Sequence, residues 1–446
     1  MAGGRCGMMK LCVPKRSVRM LAGVAGMVLG LPLMGMGAEW SRFRGADGSG
    51  VAADGDPPVT WSDKENLKWK TAMPGPGSSS PIVWGELVFV TCFSGVGEGS
   101  GGDLAGLKRH LVCVDRGTGK VKWERAVAAE MPEDPYSGYL TEHGYASSTP
   151  ATDGERVYVF YGKTGVLAYD FEGKELWRVN VGKESGNRRW GSAASVMLDG
   201  DRVIVNASEE SRSIRALDKK TGREVWKAEA DSLELCYGTP LSFEAEGRRD
   251  LVLAVPGEIW GMNPETGKLR WYAGTGLSGN ISPSLVSGGG VLYANGGFPG
   301  LGAVAVRGGG KGDMTAKALV WESKNASYVP TPVLLGGRLY AASDAGFAVC
   351  LDAADGKLIF RERLPGAAST GRGGKPFYAS AVSAKGRIYA VSRLGGTFVF
   401  AAEPEFRLLA HNRIETDASQ CNGTPAIVGK QLLMRSDTTL YCFETP

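Results

Sequence analysis

The sequence predicts an all-β chain: an eight-bladed β-propeller of four-stranded blades, closed by an N-terminal strand that completes the last blade. Three observations predict it. Glycine makes up 66 of the 446 residues while 43 % of residues are hydrophobic. Glycine is thus at roughly twice its ~7 % average share, and the chain combines many tight turns with enough apolar residues for a large core. An aromatic residue recurs at spacings of 39 to 54 residues. The first and last segments of the array are incomplete, and together they sum to one repeat. A helical bundle is disfavoured, because an interior glycine costs a helix about 1 kcal/mol.

The repeat is set by Ala216-Leu217-Asp218-Lys219-Lys220-Thr221-Gly222-Arg223-Glu224-Val225-Trp226. It returns at Cys113 to Trp123 and Gly261 to Trp271, and more loosely at Ala168 to Trp177 and Cys350 to Phe360. The expected docking aromatics are Trp69, Trp123, Trp177, Trp226, Trp271, Trp321 and Phe360, with Ala410 in a degenerate eighth place. A second marker, small residues often followed by proline, opens each unit. It stands at Ser80-Pro81, Thr149-Pro150, Ala193-Ala194, Thr239-Pro240, Ser282-Pro283, Thr331-Pro332, Ser380-Ala381 and Thr424-Pro425.

Within a unit four short apolar runs are separated by turn signals. In the sixth, Gly336-Gly337 and Asp355-Gly356 sit between apolar runs, as two-residue turns with positive φ require. The Asp or Asn that opens the Thr-Gly turn can accept backbone N–H groups from the residues just after it. The following Trp is then free to lie across the neighbouring unit, and Trp→Ala there should cost about 3–5 kcal/mol. Four strands per repeat and eight repeats imply a propeller rather than a parallel solenoid. The last unit, residues 425–444, holds three strands, and Asn66-Leu67-Lys68-Trp69-Lys70-Thr71 supplies the fourth. Closing the ring in this way removes exposed sheet edges.

Residues 1–38 read as a secretory signal peptide. They carry Arg5, Lys10, Lys15, Arg16 and Arg19 and no acid, then an apolar stretch from Met20 to Met36 and a small residue, Ala38. Residues 39–60 form an N-terminal arm and residues 61–446 the propeller. The formal charge of +4 belongs to the leader, since 46 bases then face 47 acids. A near-neutral remainder excludes a nucleic-acid binder driven by overall charge. The expected location is exported, in the periplasm or cell envelope, with membrane contact only by association or through an uncleaved leader.

The Ala-x-Asp-x-x-Thr-Gly-x-x-x-Trp segment resembles the tryptophan-docking repeat of the PQQ-like (quinoprotein-type) β-propellers, over about residues 61–446. That family includes quinoprotein alcohol dehydrogenases and the outer-membrane assembly lipoprotein BamB. The opening Glu39-Trp40-Ser41-Arg42-Phe43-Arg44-Gly45, with Thr60-Trp61-Ser62 and Pro74-Gly75-Pro76-Gly77-Ser78-Ser79-Ser80-Pro81, is similar to a subgroup of secreted bacterial PQQ-like repeat proteins. The resemblance implies a binding or scaffold role in the envelope with a protein partner. Its alternatives are a PQQ-dependent quinoprotein dehydrogenase, or a propeller that binds a small anionic ligand or a carbohydrate. The dehydrogenases carry a vicinal Cys-Cys and a Glu/Asn/Asp calcium set. No Cys-Cys dipeptide occurs in this sequence, and no calcium set aligns, so no cofactor is expected, with PQQ and Ca²⁺ as the alternative.

No catalytic or metal set is expected. The three histidines, His110, His143 and His411, fall in separate blades, whereas a triad or metal centre needs convergent groups. Cys113, Cys350 and Cys442 align with Ala168, Ala216 and Gly261 as one small core position. Cys92 and Cys113 lie on neighbouring strands and could bond. Cys236 and Cys421 align with each other four blades apart, beyond disulfide reach. Long insertions at 93–110, 128–146, 182–190 and 366–377 emerge on one face. That face would carry Tyr136, Tyr139, His143, Tyr145, Asn187, Arg188, Arg189, Trp190 and Arg372, the residue types of binding hot spots, with arginines suited to anionic groups.

Overall fold

The structure, a computed structural model, describes residues 39–96, 103–298, 300–367 and 374–445. The leader expected over residues 1–38 and the site residue expected at Arg372 lie outside them. Eight antiparallel sheets follow one another along the chain. Blades 1 to 7 span residues 82–128, 151–179, 197–229, 241–274, 286–323, 333–363 and 382–412. The strands of blade 8 at 426–444 are completed by Leu67–Ala72, which pairs antiparallel with Thr439–Glu444 and sets Trp69 opposite Cys442. The N-terminal strand thus closes the ring. Two short strands add to sheet edges: Val51–Ala52 runs parallel to the first strand of blade 7, and Gly312–Asp313 parallel to the last strand of blade 4.

The core lies between blades. One cluster joins Tyr158 and Phe160 of blade 2 to Val203 and Val205 of blade 3, and similar clusters join the other neighbours around the ring. The aligned small position explains itself in the register: Ala216 lies opposite Trp226, Ala168 opposite Trp177, Cys113 opposite Trp123 and Cys350 opposite Phe360. A larger side chain there would meet the aromatic ring, and each ladder shifts register one residue later. All six described cysteines are free. The Cys92–Cys113 bond does not form, because Cys92 faces His110 while Cys113 faces Phe89.

The aromatic that ends each repeat docks on the next blade. Indole N–H groups of Trp69, Trp123, Trp177, Trp226 and Trp321 donate to the carbonyls of Arg116, Phe171, Lys219, Pro264 and Ala353, at 2.8 to 3.0 Å. Each acceptor directly follows the Asp or Asn of the turn. That side chain in turn accepts backbone N–H groups, as Asp218 does from Lys220 and Thr221. Phe360, without an N–H, packs its ring 5.5 Å from Phe406. Trp271 departs from this pattern. Blade 5 has Arg307-Gly308-Gly309-Gly310 where the acidic turn would be, and the Trp271 N–H donates within its own blade, to Asp250 Oδ2 at 2.7 Å.

The N-terminal arm crosses the ring on its axis. Trp40 bridges to Val83 of blade 1, and Thr152 N–H of blade 2 donates to Ser41 O. Arg44 reaches blades 6 and 7 on the far side, donating to the carbonyls of Thr331, Pro332 and Ala381 and, within the arm, to those of Gly48 and Ser49. Arg44 is 1 % exposed, and its guanidinium is satisfied by carbonyls alone. The arm therefore plugs one end of the channel. Among the described residues no helix is long and apolar enough to cross a membrane.

Candidate binding funnel

The other end of the channel opens as a funnel, and its wall repeats with the blades. Where the first strand of each blade begins, two residues two apart in sequence face the axis, because alternate residues of an extended chain share a side. The lower tier is Ser80, Thr149, Ser195, Thr239, Ser284, Thr331, Ser380 and Thr424. The upper tier is Ser78, Ser147, Ala193, Tyr237, Ser282, Val329, Tyr378 and Asn422. At seven of the eight blade junctions the lower-tier hydroxyl accepts the N–H of its counterpart in the preceding blade. Examples are Ser80 N–H to Thr149 Oγ1 at 2.9 Å and Ser195 N–H to Thr239 Oγ1 at 3.0 Å. This tier corrects the sequence markers in two blades: the hydroxyls that join the ring are Ser195 and Ser284, two residues beyond Ala193 and Ser282.

Phe43 of the arm also lines the cavity, which has a volume of about 150 Å³. Above the hydroxyl tier stands an aromatic belt. Tyr139 lies 4.8 Å from Trp190 and 5.9 Å from Tyr378, and Trp190 lies 6.0 Å from Tyr237, between ring centroids. Tyr139 and His143 belong to the insertion that follows blade 1 and includes a short helix, Leu140–His143. Trp190 comes from the insertion after blade 2.

His143 is a fixed wall element. Its Nε2 lies 2.8 Å from the carbonyl of Trp190 and its Nδ1 2.6 Å from Ser147 Oγ. A carbonyl only accepts, so Nε2 carries the proton and Nδ1 accepts from Ser147. Burial lowers its pKa to about 4, so it is neutral at physiological pH.

The expected site residues divide in three. Tyr139, His143 and Trp190 come together in the funnel. Tyr136 and Tyr145 do not: they pack with Phe93 in a small core under the insertion, and Tyr145 OH donates to Asp134 O. Asn187, Arg188 and Arg189 are exposed on the crest beyond Trp190, with the Arg188 guanidinium carbon 5.7 Å from the Trp190 ring centroid. The arginines face solvent, not the cavity.

Sequence reasoning missed Tyr237, Tyr378, Asn422, Phe43 and the lower tier as wall residues. The signal existed for most of them: each upper-tier residue stands two positions before a ring hydroxyl. It also missed the charges behind the wall. Arg109 pairs with Glu133 at 2.8 Å and Lys163 with Asp134 at 3.2 Å, all four buried. Glu209 and Glu210, on a short helix Ser208–Ser211, back the Trp190 insertion. Gly186 N–H donates to Glu209, and Ser192 Oγ donates to Glu210. Burial raises both carboxyl groups to about 7.

A calcium-bound pyrroloquinoline quinone does not fit this wall. Calcium takes oxygen ligands that include carboxylates, and a quinone bearing carboxylates needs cations to receive them. Among the described residues lining the funnel there is no Asp, Glu, Lys or Arg.

A family model described as Outer membrane protein assembly factor BamB matches residues 107–332 and 312–436. No curated protein matches the chain. Among solved structures, BamB from Moraxella catarrhalis superposes with a TM-score of 0.60 at 14 % identity, covering 85 % of this chain and 97 % of that one. A europium-containing methanol dehydrogenase superposes with a TM-score of 0.58 at 11 % identity, covering 92 % and 98 %. The designed protein Ika8 gives 0.56 at 12 %, covering 84 % and 98 %. At these identities the likeness is one of fold.

Proposed function

We propose, from the premise that the chain belongs to the family described as Outer membrane protein assembly factor BamB, that it is an exported, non-catalytic binding propeller of the bacterial cell envelope. The observation that carries the reading is the build of one face. The insertions after blades 1 and 2 are not loose loops. Buried ion pairs Arg109–Glu133 and Lys163–Asp134 hold the first, and Glu209 and Glu210 back the second. Together they present an exposed crest of Asn187, Arg188 and Arg189 over a rigid aromatic base. Preorganised Arg and aromatic groups are what a protein interface uses as anchors.

The same geometry speaks against acid–base chemistry by His143, whose two ring nitrogens are both engaged. The test is affinity capture from the envelope fraction of the producing cells. The parent chain should retain a stoichiometric protein partner, and the combined variant Asn187→Ala, Arg188→Ala, Arg189→Ala should lose it while melting normally. Capture unchanged by the three substitutions, or no partner with the parent, would overturn the reading.

A further inference from the structure

The funnel is chemically different from the crest above it. The crest is cationic and exposed, whereas the described residues lining the cavity carry no charged side chain. The wall offers an ionised ligand no ion-pair partner, because the Arg393 guanidinium stands behind Tyr378 and Asn422 and is paired with Glu142, so burying a charge there costs several kcal/mol. A wholly apolar ligand is also a poor match, because it would cover a ring of hydroxyls without answering them.

Those hydroxyls are oriented by the fold. At seven blade junctions the oxygen is already accepting a backbone N–H from the neighbouring blade. A hydroxyl that accepts in this way still has its own proton to donate. The floor therefore offers a circle of donors around the Phe43 side chain. Above it, Tyr139, Trp190 and Tyr237 line the cavity as a contiguous aromatic belt, with neighbouring ring centroids 4.8 and 6.0 Å apart. A cavity of about 150 Å³ accommodates one six-membered ring.

We propose that this funnel binds one neutral pyranose, either as a free sugar or as the terminal unit of a glycan. The ring's C–H face lies on the aromatic belt, and its oxygens accept from the lower-tier hydroxyls. This ligand goes beyond the protein-binding role of the face and does not depend on it: the crest residues that test the partner, Asn187, Arg188 and Arg189, do not line the cavity.

The experiment is isothermal titration calorimetry on the purified protein alone. The probes are the methyl glycosides of glucose, galactose, mannose and N-acetylglucosamine, disaccharides ending in the same units, and the charged sugars glucuronate and glucosamine. At least one neutral methyl glycoside should bind one-to-one with a Kd at or below about 10 mM, and the charged sugars at least about tenfold more weakly. A disaccharide that binds more tightly than its methyl glycoside assigns a glycan terminus, and equal binding assigns a free sugar. Trp190→Leu and Thr239→Val should each weaken binding at least about tenfold, while Thr239→Ser, which keeps the hydroxyl, should retain it. No binding by any neutral sugar would overturn the proposal. So would equal binding of the charged sugars, or undiminished affinity in a folded Trp190→Leu or Thr239→Val variant. Because no partner is present, any of these failures leaves the capture result standing.

Discussion

The indole N–H of Trp177 donates to the carbonyl of Lys219 in the next blade at 2.9 Å, and Gly222 of that same turn lies flat against the indole ring. A Cβ at Gly222 would lie 2.7 Å from the ring, at a backbone φ of +73°. The turn glycine of one repeat is therefore the seat for the tryptophan of the repeat before it. Gly119, Gly173, Gly267 and Gly356 stand in the same relation to Trp69, Trp123, Trp226 and Trp321.

Gly222→Ala should therefore cost more than backbone strain. Gly257 has a similar φ of +83° and open space around its missing Cβ, so Gly257→Ala isolates the strain, about 1–2 kcal/mol. Gly222→Ala should lose a further 1–3 kcal/mol, approximately the cost of overpacking. Denaturant unfolding of both variants checks this, and equal losses would contradict the seat.

Arg44 ties the arm to the far side of the ring through backbone carbonyls of Thr331, Pro332 and Ala381. Arg44→Met leaves these buried acceptors unpaired, at about 1–3 kcal/mol each. The expected loss is at least about 3 kcal/mol by chemical denaturation, and a loss below about 0.5 kcal/mol, typical of a surface site, would show that the arm does not hold the ring.

Much of this was legible in the sequence because a repeat states the same physical constraint several times. Closure by the strand around Trp69, and the small residue that faces each docking aromatic, follow from aligned copies. The funnel wall was half legible. Reading Ala193 and Ser282 as counterparts of Ser80 mixed the two tiers, since small residues fill both. Trp271 broke its pattern because the turn it would dock on is Gly308-Gly309-Gly310 instead of an acidic one. Tyr136 and Tyr145 look like Tyr139 in sequence, and only the packing around Phe93 separates them. Nothing local marks Glu209 and Glu210 as buried.

Glu210 should make stability depend on pH. Burial raises its carboxyl from 4.5 to about 7. Between those values the folded chain keeps a proton that the unfolded chain has released, so the contribution is full below 4.5, falls as pH rises, and is gone above about 7. Glu210→Gln stays neutral throughout. Relative to the parent it should gain stability from pH 4.5 to 7 and stay level above. Unfolding free energies across that range test it, and a constant difference would contradict the buried carboxyl.

His143 should act in the opposite direction. Its pKa falls from 6.5 to about 4, so the folded chain lacks a proton that the unfolded chain holds between them. Its contribution to stability is present above 6.5 and is lost as pH falls towards 4. In NMR titration the His143 ring resonances should stay those of the Nε2–H neutral form down to about pH 4. A midpoint near 6.5 would contradict the fixed wall.

The central claim is that one face of the ring is the binding surface. Photo-crosslinking in the producing cells tests it most directly, with a photoreactive residue in place of Arg188 on the crest or of Lys357, which is exposed in a turn on the opposite face. The account predicts a discrete protein adduct from position 188 and none from 357. Adducts of equal yield from both positions, or an adduct from 357 alone, would contradict it.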